Sequence, residues 1–381
     1  LDIGLLVIAV IATALIFDFT NGFHDTANAM ATSIATGALR PKVAVGLSAV
    51  LNLAGAFLSI QVAKTISSGI VSDTKITPAV IFGGLIGAIV WNLLTWFVGL
   101  PSSSSHALFG GLIGATWIAA GSSAVHFGKI VEKILVPAIA SPIIAGIVAL
   151  IATYLSYRIT RNVDQETRKN GFRYGQTVTA CLVSLAHGTG DAQKTMGVIT
   201  LTLVTAGALP SGSIPPLWVI LAAAVAMALG TYAGGWRVIR TMGKGITDIE
   251  SPQGFAAETS SATTLLLSSH LGFALSSTHV VSGSVVGVGL GRRLTEVRWG
   301  VAGQMVIAWA LTLPAAAAVG AGGAMLTGLG TPGVIAAGVI ALVLGGGLYL
   351  ASRRNPVNAQ NVNEDKALSQ QPEQPTATVA H

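Results

Sequence analysis

The stretch GLPSSSSHALFGGLIG occupies residues 99–114, and GFALSSTHVVSGSVVG occupies residues 272–287. Aligned on His106 and His279, both have a glycine seven residues before the histidine, a hydroxyl run directly ahead of it, and glycines four and eight residues after it. A second pair keeps the same order: Gly22-x2-Asp25-x4-Met30 and Gly188-x2-Asp191-x4-Met196. The chain is therefore a duplication. Glycines spaced by four fit close helix packing. The hydroxyl runs ask for more, since membrane serines commonly bond only their own backbone. Repeated beside a helix break, they point to ligand contact by Ser103, Ser104, Ser105, Ser276, Ser277 and Thr278.

The surroundings of both motifs are apolar. Residues 76–127, 134–157 and 299–352 contain no Asp, Glu, Lys or Arg, and only 9% of the 381 residues are charged, against about 25% in soluble domains. A membrane helix needs about 20 apolar residues, which predicts an all-α, multi-pass membrane protein with segments near 1–39, 43–63, 76–120, 134–157, 175–205, 216–236, 254–291, 299–320 and 332–351. The net charge of +6 does not indicate nucleic acid, because the basic residues form short clusters between these segments. The apolar start from Leu1 to Phe17 lacks a basic leader and is not read as a signal peptide. Cys181 is the sole cysteine, so no intrachain disulfide forms.

Cytoplasmic loops carry the excess of Lys and Arg, which places Arg40/Lys42, Arg158 to Arg173, Arg237 to Lys244, Arg292 to Arg298 and Arg353/Arg354 on one side. Segment 254–291 starts and ends on that side, so it must turn back within the membrane at Ser276 to His279. Segment 76–120 turns back at Ser102 to His106 from the opposite face. A cysteine at Thr295 should be unreachable from outside, and Lys129, Glu132 and Lys133 should lie outside. The duplication is then inverted, as in many secondary transporters. Its parts are a first inverted repeat at 1–157, a cytoplasmic linker at 158–174, a second repeat at 175–320, an extra helix at 332–351 and a disordered tail at 355–381. Each repeat should hold one broken helix and one re-entrant hairpin.

Ionisable residues at membrane depth are functional candidates by default. Asp25 and Asp191 lead because their positions match. The polar run from Asp18 to Asp25 reads as a helix break whose carbonyls, with Asn21, Asp25 and Asn28, supply the hard oxygen donors that suit Na⁺ or a proton path. Glu258 is a further ion ligand. The start of each half-helix after a serine run offers free N–H groups and partial positive charge, which favour a tetrahedral anion. His106 and His279 either brace the turn, carry a proton or touch the anion. His24 and His187 adjoin the aspartates, and no His or Cys spacing indicates a zinc site. Asp18 either orients its helix or joins the site.

The runs NGFHDTANA at 21–29 and HGTGDAQKTMG at 187–197 resemble the two signatures of the PiT family of inorganic phosphate transporters. The serine runs are similar to that family's as well, and the likeness spans about residues 1–350. The resemblance implies symport of phosphate with Na⁺ or H⁺ across the cytoplasmic membrane, no other cofactor, and a homodimer. One position departs: the family usually has Asn before the second aspartate, and here it is Gly190. Lys194 stands where the first copy has Asn28, as a stand-in cation, an anion contact or a partner of Asp191. The alternatives are another oxyanion such as sulfate, a passive anion channel, and an intramembrane serine hydrolase. The last lacks a Gly-x-Ser-x-Gly elbow, so no enzyme is expected.

Overall fold

The computed structural model describes residues 3–292 and 297–363. Arg293, Thr295 and everything after Asn363 lie outside the described residues. The helices in order are α1 (Ile3–Ala35), α2 (Pro41–Gly55), α3 (Gln61–Gly69), α4 (Pro78–Val98), α5 (Ser104–Ala120) and α6 (Phe127–Ile130). A π-helical turn, Val131–Leu135, leads into α7 (Val136–Ile159), followed by α8 (Gln165–Thr205), α9 (Leu217–Ala233) and α10 (Trp236–Arg240). After a second π-helical turn come α11 (Ser251–His270), α12 (Ser277–Arg292), α13 (Trp299–Thr327) and α14 (Thr331–Ser352). Among the described residues, five helices are long and apolar enough to cross a membrane, or six when α9 is joined to the piece after it across a 62° bend. The chain is a multi-pass membrane protein.

Both serine runs lie in hairpins, α4–α5 and α11–α12. The outer arms stop in the same way. Gly99 and Gly272 take left-handed φ values of 75° and 73°, which glycine adopts without a steric cost. The N–H of the residue after each glycine then reaches back to a carbonyl in the last turn, Leu100 to Thr95 and Phe273 to Ser268. This arrangement satisfies the otherwise open end of each helix. The return helices begin at Ser104 and Ser277, as the hydroxyl runs predict.

The hairpins point to opposite ends of the molecule. The first tip is held among basic residues: Thr241 Oγ1 donates to Gly99 O at 2.7 Å and Arg237 to Phe97 O at 3.3 Å. The second tip lies beside Thr65, whose hydroxyl donates to Gly272 O at 3.0 Å, and under Lys133, 4.4 Å above the Phe273 ring. Arg173 reaches Thr36 O, and Arg240 reaches Asn361 O. Arg292 pairs with Glu250 at 2.8 Å, and Arg298 with Asp248 at 3.0 Å.

The two copies interlock. α5 packs on α13 and α12 on α7, while α1 packs on α9 and α2 on α8. The repeated glycines sit at these crossings: a Cβ at Gly110 or Gly114 would fall on the carbonyls of Leu313 or Ala317, and one at Gly283 or Gly287 on those of Pro142 or Gly146. Their task is backbone approach, as the spacing predicts.

Four expectations are corrected. The polar run Asp18 to Asp25 does not break α1, and α8 runs unbroken through Asp191. Gly22 and Gly188 serve close crossings instead, since a Cβ there would strike the backbone of Met227 or Asn52; the hydroxyls of Thr20 and Thr26 bond carbonyls of their own helix. The break falls instead between α9 and α10, at Gly234 and Gly235. Segment 43–63 is not one span, because α2 ends at Gly55 and α3 begins at Gln61. Most of the linker 158–174 is the first turns of α8, started by Asp164, which accepts from Thr167 N at 2.8 Å. Residues 355–363, read as disordered, are pinned by Arg237 on Asn355 O at 2.6 Å and by burial of Val362.

Candidate functional site

Asp25 and Asp191 come together where α1 and α8 pack, both nearly fully buried. Ligand atoms of Asp25, His187 and Asp191 all lie within 4.8 Å of one another. Each aspartate accepts a hydroxyl from its own copy's hairpin: Ser104 Oγ donates to Asp25 Oδ2 at 2.6 Å, and Ser277 Oγ to Asp191 Oδ2 at 2.9 Å. The match in sequence is thus a match in contacts.

Histidines back both carboxylates. His24 Nδ1 lies 2.7 Å from Asp25 Oδ1, and its Nε2 faces Thr95 Oγ1 at 3.4 Å. His187 Nε2 lies 2.9 Å from Asp191 Oδ2, and its Nδ1 faces Asn52 Oδ1 at 3.4 Å. His187 gave no decisive signal in the sequence, although it stands one helical turn before Asp191. Thr95 and Asn52 gave none at all, being single polar residues in apolar segments.

The copies differ at one matched position. Asn28 Nδ2 donates across to Ser277 Oγ and Thr278 Oγ1, both at 3.1 Å. Lys194, its counterpart, reaches the other hairpin at Ser105 and is ion-paired with Asp191. Its ammonium is therefore a fixed cation inside the centre.

The remaining candidates separate by role. Ser103 and Ser276 are helix caps: their hydroxyls accept from His106 N at 3.1 Å and His279 N at 3.2 Å. His106 and His279 meet edge to face at 4.7 Å, and His279 stacks on Trp309 at 4.2 Å. With His279 Nδ1 also 3.1 Å from Ala138 O, this pair braces the two half-helices against each other. Glu258 stands apart from the aspartates and accepts from Thr32 and Ser33 (2.6 Å each), Thr179 (2.7 Å) and Gln176 (3.2 Å). It ties α1, α8 and α11 together with its oxygens already engaged. Asn21 lies beside Asp18.

Gly190 lines a small cavity of about 10 Å³ with His187, Asp191, Lys194 and Ser269. It lies within α8, and its φ is not positive. A Cβ here would stand 3.0 Å from Ser269 Oγ, a hydroxyl that can turn away. Gly190→Asn should therefore fold, with the melting temperature unchanged or raised, because glycine inside a helix costs about 0.5–1 kcal/mol relative to alanine. Its amide should alter the cation concentration that gives half-maximal uptake. Loss of the folded protein on thermal melting, or an unaltered cation dependence, would contradict this.

The chain matches known proteins along most of its length. The chain is 56% identical to a protein of Mycobacterium tuberculosis described as a probable low-affinity inorganic phosphate transporter, over 94% of this chain and 87% of that one. A Bacillus subtilis protein of the same description is 44% identical, covering 83% of this chain and 96% of the relative. A solved structure titled the sodium-dependent phosphate transporter superposes with a TM-score of 0.76 at 26% identity, over 85% of this chain and 99% of that one. The sulfate alternative finds no support among these relatives, and the hydrolase alternative falls with it, since they are transporters. The model of the phosphate transporter family matches residues 21–320, which include both aspartate motifs and both serine hairpins, and the chain belongs to that family.

Proposed function

We propose that the protein is a secondary active transporter that carries inorganic phosphate with Na⁺ across the cytoplasmic membrane, built from two inverted-topology repeats. The observation that carries this reading is the convergence of Ser104 and Ser277, from hairpins of opposite direction, on the matched pair Asp25 and Asp191. Helix N-termini and hydroxyls suit a tetrahedral anion, but two carboxylates beside them oppose it. Lys194 offsets one carboxylate only, and among the described residues Asp25 has no lysine or arginine partner. Phosphate enters such a centre favourably only with a cation that engages the carboxylates. That cation also releases the two serine hydroxyls, which then donate to the phosphate oxygens. This linkage of ion to anion makes the transport coupled.

Na⁺ is favoured over H⁺ because the solved relative is titled sodium-dependent. The opposed hairpins and the gathering of basic residues at one end support inverted repeats with that end in the cytoplasm. In sealed vesicles, phosphate uptake should follow an inward Na⁺ gradient and resist competition by sulfate. Ser104→Ala and Ser277→Ala should each raise the phosphate KM roughly 10- to 100-fold at normal protein level, the loss of one hydrogen bond to a charged group being worth about 1.5–3 kcal/mol. Uptake indifferent to the Na⁺ gradient, or an unchanged KM in both variants, would overturn the reading.

A further inference from the structure

Asp18 lies on α1 two turns before Asp25 and is fully buried. Neither of its carboxyl oxygens has a hydrogen-bond partner. The side chains beside it are those of Asn21 and Thr195. Both polar atoms of the Asn21 amide and the Thr195 hydroxyl are also buried and without a partner. Asn21 and Thr195 approach Asp18 closely enough to interact with its carboxyl group, yet none of the three completes a hydrogen bond of ordinary geometry. Buried polar groups are so completed in the large majority of cases, so the three share a requirement. Lys194 adjoins Thr195 on α8, but its ammonium is engaged with Asp191 and Ser105.

The donor set decides the ligand class. A carboxylate, an amide carbonyl and a hydroxyl are hard oxygen donors, without the sulfur or imidazole that transition metals prefer. One carboxylate balances one positive charge. The matching position in the second copy is Ser184, whose hydroxyl bonds Ser48 at 3.1 Å, so the feature belongs to one copy only.

We propose that Asp18, Asn21 and Thr195 form a Na⁺ site distinct from the Asp25–Asp191 centre. Asp191 and Lys194 stand within electrostatic reach of Asp18, so a cation bound there makes the neighbouring centre less hostile to an anion. The inference rests on the coupling reading above, but its test contains no phosphate, and its failure is therefore separate from failure of the substrate assignment.

The test is thermal melting of the purified full chain in phosphate-free buffer, with choline replaced by Na⁺. Na⁺ well above half-saturation should raise the melting temperature by about 5 °C, and K⁺ should not. Asp25→Asn should keep a Na⁺-dependent rise, and adding Asp18→Asn should remove it. Thr195→Val should shift the half-saturating Na⁺ concentration upward at least about 10-fold, and Thr195→Ser should restore it, so the Thr195 pair decides the matter if Asp18→Asn does not fold. A parent protein without a Na⁺-specific rise, a full rise in Asp18→Asn, or a rise that follows pH and not Na⁺ (a protonated carboxyl) would each overturn the proposal.

Discussion

Asp25→Asn should abolish coupled phosphate uptake, with an initial rate at least about 100-fold below the parent and a normal amount of protein in the membrane. The substitution keeps the shape and removes the charge. Asp25 accepts from Ser104 at 2.6 Å and faces His24 at 2.7 Å while almost completely buried. Each hydrogen bond to a charged group is worth about 1.5–3 kcal/mol, and an amide can turn only one acceptor toward these two partners. The asparagine also cannot attract the cation that frees the Ser104 hydroxyl, so both the anion and its co-ion lose a partner in one step. Uptake within twofold of the parent under a Na⁺ gradient would remove Asp25 from the coupling machinery.

Lys194→Met should have the largest effect on stability. The ammonium of Lys194 is the cationic partner of Asp191, and both side chains are almost completely buried. Deleting one member of such a pair leaves the other uncompensated, at about 3–5 kcal/mol. The melting temperature should fall by roughly 5–10 °C. Adding Asp191→Asn to Lys194→Met should recover most of that loss and leave transport absent. Recovery in the double variant marks a direct interaction between the two positions. Equal melting temperatures of the parent and Lys194→Met would show that His187 and Ser277 suffice for Asp191.

Much of the centre is legible because the duplication states it twice. The offsets around His106 and His279 locate both hairpins, and the offsets around Asp25 and Asp191 select the two carboxylates from all the buried polar residues. What the sequence conceals lacks a second copy. Glu258 draws Thr32 and Ser33 from α1 and Gln176 and Thr179 from α8, and no spacing links residues so far apart in the chain. Asp18 meets Thr195 only through the packing of α1 on α8. The misplaced helix break has a different cause. Polar residues with glycine inside an apolar segment resemble unwound backbone, yet here the side chains face protein and the glycines admit a neighbouring backbone. The tail misled through composition: the segment just after Arg354 is polar, but Arg237 and Arg240 bind its carbonyls.

The glycine crossings of α5 also set an order on biogenesis. The backbone carbonyls that fill the seam at Gly110 and Gly114 belong to Leu313 and Ala317, which leave the ribosome long after α5 has entered the bilayer. At synthesis rates of about 5–20 residues per second, the wait is roughly 10–40 s. During that interval the two bare glycines of α5 face lipid or the insertion machinery without the backbone that fills their seam. Rescue of a stalled or truncated chain should therefore require the Trp299–Thr327 helix, supplied even as a separate polypeptide, before the first hairpin becomes resistant to membrane proteases.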